Sequence, residues 1–375
     1  MARIERILIV GGGIAGLTAA TAFHRKGFTT EVVERDKTWP AVGAGIAVQP
    51  NGMRILNVLG TGAAVEQAGT VIRGWGFCDQ HGELLCETDL QVLWGHVAPF
   101  IGIERSKLHQ ALVARAAVVP HRLGISLTSL SQDSHCVSVG FSDGSTGEYD
   151  LVVGADGISS TVRTLAISNA SPADLGAMNW RSIAPIRPLG LSALRFVLGD
   201  ECFFGLCPVG EGRTYGFGYV MQPRFHDPVE GRLERLRDRF AGFGRIVEDY
   251  LASLEHDHQI ICSAMEWIDV GEWYSGRTVL IGDAAHASSP LMGQGGCMAM
   301  EDAYVLAEEL RSADTVQDAL KNYVLRRKSR VGWVQQQSIA TGEALRMPPA
   351  MRNAGLRERG EQMMKFRFGR LTPPP

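Results

Sequence analysis

The chain has 375 residues, 45% of them hydrophobic, 21% charged and 7% aromatic, and 37 basic against 40 acidic side chains leave a formal net charge of −3. Such a composition suits a soluble globular protein and excludes collagen, coiled coil and disorder. A length prior of roughly 150 residues per domain gives about two and a half, so one large domain or two interleaved ones are both open. With so little net charge there is no field to attract a polyanion, and nucleic acid is not expected as a partner.

In chain order, Ile7 to Val10 is a short apolar run suited to a buried strand, and glycines follow it. A signal peptide needs a longer apolar stretch after Arg3-Ile4-Glu5-Arg6, and no uncharged run reaches the roughly 18 residues of a membrane span. The expected location is the cytoplasm, with no membrane partner. A helix from Ile14 to Arg25 and a strand from Thr30 to Glu34 complete a βαβ unit, and a further helix is predicted from Arg105 to Ala117. Val137, Val139 and Phe141 alternate toward Asp143-Gly144, a type I′ turn signal, with a return arm entering Leu151-Val152-Val153. Between 175 and 265 the texture becomes strand-like at Leu194–Leu198, Cys202–Val209 and Thr214–Met221, and an amphipathic helical stretch from Glu230 to Leu254 follows. Thr278 to Ile281 restores a buried strand, and helices are predicted from Gly296 to Leu310 and from Val316 to about Ala344.

The expected fold class is α/β: a Rossmann-like nucleotide domain interrupted by a smaller sheet-rich substrate domain. Its parts are residues 1–174, the middle sheet at 175–265, a completing part at 266–345 and a C-terminal tail at 346–375, whose final prolines look frayed. The basic run Arg326-Arg327-Lys328-Ser329-Arg330 carries no interleaved aromatic residue and reads as a solvated helix face. Seven cysteines, odd in number and without a CxxC pair or tight histidine cluster, suit a reducing compartment, and no metal is expected.

Gly11-Gly12-Gly13-Ile14-Ala15-Gly16 fits G-x-G-x-x-G directly after a strand. Gly11 permits the tight turn, Gly13 the approach of a pyrophosphate, and Gly16 the packing of helix on strand. Glu34 ends the second strand 34 − 16 = 18 residues after the last glycine, where a carboxylate can accept hydrogen bonds from a ribose. The fingerprint alone leaves FAD and NAD(P) both open.

Two further motifs, Asp150-Leu-Val-Val-Gly154-Ala-Asp156-Gly157 through Arg163 and Gly282-Asp283-Ala-Ala-His286 through Gly296, resemble the paired DG and GD motifs of the FAD-dependent aromatic hydroxylases. This is the single-component flavoprotein monooxygenase family with the para-hydroxybenzoate hydroxylase fold, and the resemblance runs from Ile7 to about Ser338. It implies FAD as cofactor and NAD(P)H, O2 and a small aromatic molecule as partners, with homodimerisation left open. Gly11, Gly13 and Gly16 are then expected at the pyrophosphate and Glu34 at the adenosine ribose, with Ala15 and Arg35 beside them as further cofactor residues. Gly45 and Ala47 are expected on the isoalloxazine side, Arg105 against the FAD, and Leu127 in the adenine pocket. Asp156 belongs to a motif tied to FAD and nicotinamide, or else caps a turn beside Gly157. Asp283 is expected at the ribityl hydroxyls, Pro290 near the flavin C4a, and Gly293, Gly295 and Gly296 at the flavin N1 and O2 edge, where a helix dipole favours negative charge. The chemistry implied is the cofactor's own: a C4a-hydroperoxide transfers its distal oxygen to an electron-rich carbon.

On the substrate side, Phe203, Phe204, Tyr215, Phe217 and Tyr219 fall on adjoining strands. Alternation places the last three on one face, as a pocket wall or as core. Tyr215 could hydrogen-bond a substrate oxygen and Arg181 could pair with an anionic group. Cys202-Phe203-Phe204 offers no arginine where relatives acting on purine-type anions have one, which favours a neutral or larger apolar aromatic substrate. His286 is expected to pack and orient rather than act as a base. The competing readings are a flavin-dependent halogenase, which lacks its Trp-x-Trp-x-Ile-Pro motif here, a reductase, or a flavin-binding protein without turnover.

Overall fold

The computed structural model describes residues 4–39 and 44–375; Arg3 of the opening segment lies outside them. Ile7 to Val10 are buried on both faces because the strand Arg6–Val10 runs through the middle of a six-stranded sheet, paired in parallel with Thr29–Glu34 on one side and Leu151–Gly154 on the other. The chain therefore leaves the first strand in one direction and returns later on its other flank. That reversal opens a crevice at the carboxyl ends of the strands, where doubly wound folds bind their ligands. Thr278–Leu280 joins the same parallel set beside Leu151–Gly154.

A second, seven-stranded sheet is mostly antiparallel, in the order Ile261–Trp267, Ala173–Ala184, Thr214–Val220, Cys202–Pro208, Leu194–Leu198, Gly74–Cys78 and Leu84–Asp89. The α/β class with an interrupting sheet-rich layer is thus present. The sheet is wider than the expected 175–265 block, since two of its strands come from residues 74–89 and it continues to Trp267. One face carries Phe196, Phe203 and Tyr219 into the main core, and the other packs Phe204 against Phe240 and Tyr250. Phe203 and Phe204 consequently part company, as the two-residue side-chain period requires.

Three local expectations need correction. Asp143 does not take the positive φ of a type I′ turn; only Gly144 does, at +81°, and Gly144 N donates to Phe141 O at 3.0 Å, closing a type I turn with a left-handed glycine. The return arm of that hairpin is Thr146–Tyr149, whereas Leu151–Gly154 belongs to the parallel sheet. The stretch 230–254 is two helices, Arg232–Arg239 and Gly244–Ala252, parted where Gly242 and Gly244 adopt φ of +76° and +64°.

The largest departure lies at 346–375. Instead of a tail, Pro349–Gly369 is a 21-residue helix whose Leu356, Gly360, Met364 and Phe368 recur every fourth position and are buried. Phe368 packs on Trp75 and Trp94 at centroid distances of 5.3 and 6.1 Å. The final residues are also held: Arg54 donates to the carbonyls of Thr372 and Pro373, and Arg326 to that of Pro375, each at 2.8 Å. The buried Phe368 predicts that Phe368→Ala lowers unfolding stability by about 3–5 kcal/mol, read from urea denaturation. An unchanged midpoint would mean that the helix merely trails.

Candidate active site

Gly11 stands at φ +109°, and a Cβ there would lie 2.4 Å from Ala155 O, so the turn between the first strand and its helix admits glycine alone. Gly16 is closed to substitution as well, its Cβ position falling 1.8 Å from Gly11 O. Gly13 differs: nothing lies within 4 Å of its would-be Cβ, and it opens the helix Ile14–Arg25 with no side-chain cap and no acidic residue in the first turn. The helix amides beside buried Ala15 are therefore left to an anion. Glu34, at the end of the second strand, accepts from Gly12 N at 2.7 Å and from Asp36 N at 2.9 Å, while Arg35 is exposed. Ile125 N donates to Glu34 O at 2.9 Å, which brings the strand of buried Leu127 to the same edge. His109, which sequence reading passed over, bonds Gly12 O through Nε2 at 2.8 Å.

The strand Gly45–Val48 pairs antiparallel with Ile101–Glu104, setting Gly45 opposite Glu104 and Ala47 opposite Gly102. Arg105 opens the next helix with its backbone N on Ala44 O at 2.9 Å and its side chain exposed. The loop Gly293 to Gly296 meets this strand: a Cβ on Gly296 would lie 3.2 Å from Ile46 Cδ1 and 3.7 Å from Ile14 Cδ1. Two uncapped helix starts, at Gly13 and at Gly295, thus converge on one crevice. Asp283 sits between them, exposed just past the strand Thr278–Leu280, with Oδ1 3.8 Å from the Cβ position of Gly295. Pro290, also exposed, starts the short 3-10 turn that leads into Gly293.

Asp156 makes the contacts of a cap. Its carboxylate accepts from Ser160 Oγ at 2.5 Å and from the amides of Thr161 and Val162 at 2.7 and 3.1 Å, capping the helix Thr161–Ala166. Burial pushes its pKa up, against these hydrogen bonds.

Beneath the glycine loop lies a buried polar network that sequence reading did not assemble. Gln49, Asn51 and Gln294 exchange amide hydrogen bonds at 2.7–3.2 Å, and Gln49 Nε2 also donates to Met292 O at 2.7 Å. Asn51 reaches on to Glu301 Oε1 at 3.0 Å. Glu301 and Asp302 are then bound by Arg327 at 2.6 and 2.7 Å, all three with no exposed side-chain surface, and Arg330 adds two bonds of 2.8 Å to Glu301. The basic run is therefore no solvated face: Arg327 is its buried centre. Asp302 Oδ2 also accepts from Gly282 N at 2.9 Å and from His286 Nε2 at 2.5 Å, and His286 packs on Trp273, the orienting role expected of it. Burial acts to raise the Asp302 pKa, but His286 and Arg327 override it and hold the carboxyl at about 2. The signal available in sequence was Glu301-Asp302, about two turns into the helix that starts at Gly295, a pair of acids with no other reason to sit on an otherwise apolar helix face.

On the facing sheet, Tyr215 lies over Gly45, whose Cβ position is 2.3 Å from the Tyr215 ring, and stacks on Phe217 at 5.0 Å. Burial pushes the Tyr215 phenol well above its usual value. Arg181 donates to Ser263 Oγ at 3.1 Å. Neither side chain lines the cavity of about 40 Å³ that opens beside them. That cavity is walled by Trp75, Phe77, Phe196 and Phe203 from the sheet, by Leu291 and Met292 from the Pro290 turn, and by Met364, Arg367 and Phe368 from the C-terminal helix. Among the described residues, no cluster of three metal-ligating side chains is present and no helix is long and apolar enough to cross a membrane.

Removing Arg327 leaves Asp302 with His286, and Glu301 with Arg330, as the remaining charged partner in a buried site. Arg327→Met should lower stability by about 3–5 kcal/mol in urea titrations and loosen the Gly282 and Gly293 segments in hydrogen exchange. A second expectation concerns pH. The Asp302 carboxyl is depressed on folding, so the stability it adds is complete above its ordinary value of 3.8 and drains as pH falls from there toward about 2. Asp302→Asn should accordingly flatten the dependence of the urea midpoint on pH across that window.

The comparisons with known proteins agree with this geometry. A family model described as an FAD binding domain matches residues 5–338. An aurachin C monooxygenase/isomerase from Stigmatella aurantiaca is 33% identical over 84% of this chain and 83% of its own. A 3-amino-4-hydroxybenzoate 2-monooxygenase from Streptomyces platensis is 31% identical over 94% of this chain and 91% of its own. The crystal structure of Klebsiella pneumoniae HpxO complexed with FAD and uric acid superposes with a TM-score of 0.92 at 27% identity, covering 99% of this chain and 97% of that one. With two converging helix starts, a carboxylate between them and an aromatic cavity alongside, this chain belongs to the FAD-binding flavoprotein monooxygenase family.

Proposed function

We propose that the protein hydroxylates a small aromatic or heteroaromatic molecule, using NAD(P)H and O2. The observation that carries this reading is the placement of the aromatic cavity: Leu291 and Met292, in its wall, belong to the turn that runs directly into the Gly293–Gly296 helix start. A substrate held there lies against the segment that would hold the flavin. The relatives' named substrates, aurachin C, 3-amino-4-hydroxybenzoate and uric acid, support an aromatic or heteroaromatic ring for this chain too.

The residues present fit FAD. Space is open at Gly13, the Ile14–Arg25 helix offers uncapped amides to a pyrophosphate, and Glu34 is placed to take a ribose diol in exchange for its bond to Gly12 N. Gly11, Ala15 and Gly16 hold that turn, with Arg35, Leu127 and Arg105 on the adenosine side. Asp283 would hold ribityl hydroxyls, while Gly45, Ala47, Pro290, Gly293, Gly295 and Gly296 would border the ring. Bound FAD supplies the redox chemistry, taking electrons from NAD(P)H and passing them to O2, one oxygen of which enters the ring while the other leaves as water.

The chain's own contribution is placement and electrostatics. The amides at Gly295 and Gly296 favour negative charge at the helix start, by about 0.3–2 kcal/mol. Apolar walls exclude water, which strengthens every polar contact inside. Asp156 caps the helix Thr161–Ala166 and so positions the segment after Gly154 beside the cofactor. Tyr215 and Arg181 act from the Gly45 end of the site. A cytoplasmic location accords with seven free thiols.

The test is a visible spectrum of the purified protein, followed by NAD(P)H oxidation with phenolic, pyridine and indole compounds. A flavin spectrum, ligand-stimulated oxidation and a product heavier by one oxygen are expected. Asp283→Ala should weaken FAD retention by about 10- to 100-fold, the effect of losing a charge-assisted hydrogen bond. A colourless protein that takes up no added FAD would overturn the reading.

A further inference from the structure

Gly12 is the one glycine of Gly11-Gly12-Gly13 that the G-x-G-x-x-G pattern does not call for. Its backbone does not call for one either, since Gly11 stands at a positive φ and Gly12 does not. What a side chain at Gly12 would meet is an indole. A Cβ there would collide with Cζ3 of Trp39, and would lie 3.2 Å from Trp39 Cη2 and 3.2 Å from Glu34 Oε2. The missing side chain is therefore room for Trp39, which rests against the Gly12 backbone just beside the Glu34 carboxylate.

The indole is held from two sides. His109, on the helix that Arg105 opens, stands 5.8 Å away between ring centroids, and His121, on the strand beside Thr29–Glu34, stands 5.3 Å away. The segment leading to Trp39 is pinned as well: Asp36 N donates to Glu34 Oε1 at 2.9 Å, and Gly124 N to Asp36 O at 2.9 Å. His109 has a second contact. Its Nε2 donates to Gly12 O at 2.8 Å, so one imidazole fixes both a flank of the indole and the peptide under it. Gly12 is thus gripped through its N by Glu34, through its O by His109 and across its Cα by Trp39. One residue on, at Gly13, the corresponding space is empty and the helix amides behind it are uncapped. The opening offered to a diphosphate is bordered by an aromatic ring that is only half-buried. A ligand entering there removes the rest of that ring from water, which is favourable.

We propose that Trp39 is a cofactor-binding residue whose indole covers the ribose–diphosphate junction of FAD, and that His109 is the positioning residue that holds indole and Gly12 peptide together. The inference rests on FAD binding by this chain and adds a wall that neither the glycines nor the carboxylate of the fingerprint supplies. Glu34 Oε2 and the indole meet at the same point above Gly12, so a ribose taken by the carboxylate comes against the ring. The ring then keeps water from the diphosphate, which strengthens the pull of the helix amides on it. Its loss acts on the adenosine diphosphate half of the cofactor and leaves the isoalloxazine end alone.

The test titrates the flavin-free full chain with FAD, read by flavin fluorescence, and with ADP, read by tryptophan emission. Trp39→Ala should weaken FAD binding about 10-fold and Trp39→Phe by less than about 3-fold, the scale of an aromatic face against a nucleotide. ADP carries no flavin to quench indoles by energy transfer; it should shift the emission of the wild type and leave that of Trp39→Phe unchanged. His109→Ala should weaken FAD by about 3- to 10-fold. Gly12→Ala should cost about 10-fold beside Trp39 but at most about 2-fold more in the Trp39→Ala background, where the collision is gone. An indole with a merely structural role would lower the melting temperature of the flavin-free protein without moving the FAD affinity or the ADP response. FAD affinity unchanged in Trp39→Ala, an ADP response alike in wild type and Trp39→Phe, or a Gly12→Ala cost undiminished in the double variant overturns the proposal and leaves the flavoprotein reading standing. A wild type that takes up no FAD overturns both.

Discussion

The constraint on which the site depends is the buried pairing of Glu301 and Asp302 with Arg327 and Arg330. Two adjacent carboxylates inside a protein are tolerable only when cations and hydrogen-bond donors surround them, and here each neighbour is also a structural tether. Asp302 fixes the amide of Gly282 and the ring of His286, and so the turn that presents Asp283. Glu301 reaches through Asn51 to Gln294, and so fixes the start of the Gly295 helix. Burying such charges does not by itself add stability over an apolar core. What it provides is a single geometry for two loops that touch the same crevice, while the arginines come from a helix that never enters it.

The cofactor half of this arrangement was readable in the residues because its requirements are local. A tight turn, a helix start and a carboxylate at a strand end each occupy a few consecutive positions, and Gly11, Gly16 and Glu34 take the places that pattern assigns. The glycine loop at Gly293 was legible for the same reason. Arg327 was not: a basic run on a helix looks the same whether it faces water or a pair of acids 26 positions away. Asp156 was ambiguous in sequence because capping and ligand binding both call for an exposed-looking carboxylate before a helix.

The cavity was the least legible part. Phe203 stands on a strand that alternation marks, but Trp75 and Phe77 come from residues 1–174, which read as nucleotide fold, and the C-terminal wall from 346–375, which reads as a tail. The fourfold spacing of Leu356, Gly360, Met364 and Phe368 was the available signal. It was masked by a surrounding composition rich in arginine and glutamate, as on any helix with one narrow buried stripe. Alternation did separate the faces of the Thr214–Val220 strand, yet it could not say which end of the aromatic row borders open space.

The contact between Trp75 and Phe368 joins positions separated by 368 − 75 = 293 residues. A pairing of that sequence separation carries a large loop-closure entropy and forms late on a folding pathway, after short-range units such as the first strand, helix and strand have assembled. The cofactor crevice is closed by separations almost as long, Asn51 to Glu301 among them, so both halves of the site wait on the last third of the chain. A chain caught part-way can thus hold the first strand, helix and strand without enclosing either the crevice or the chamber.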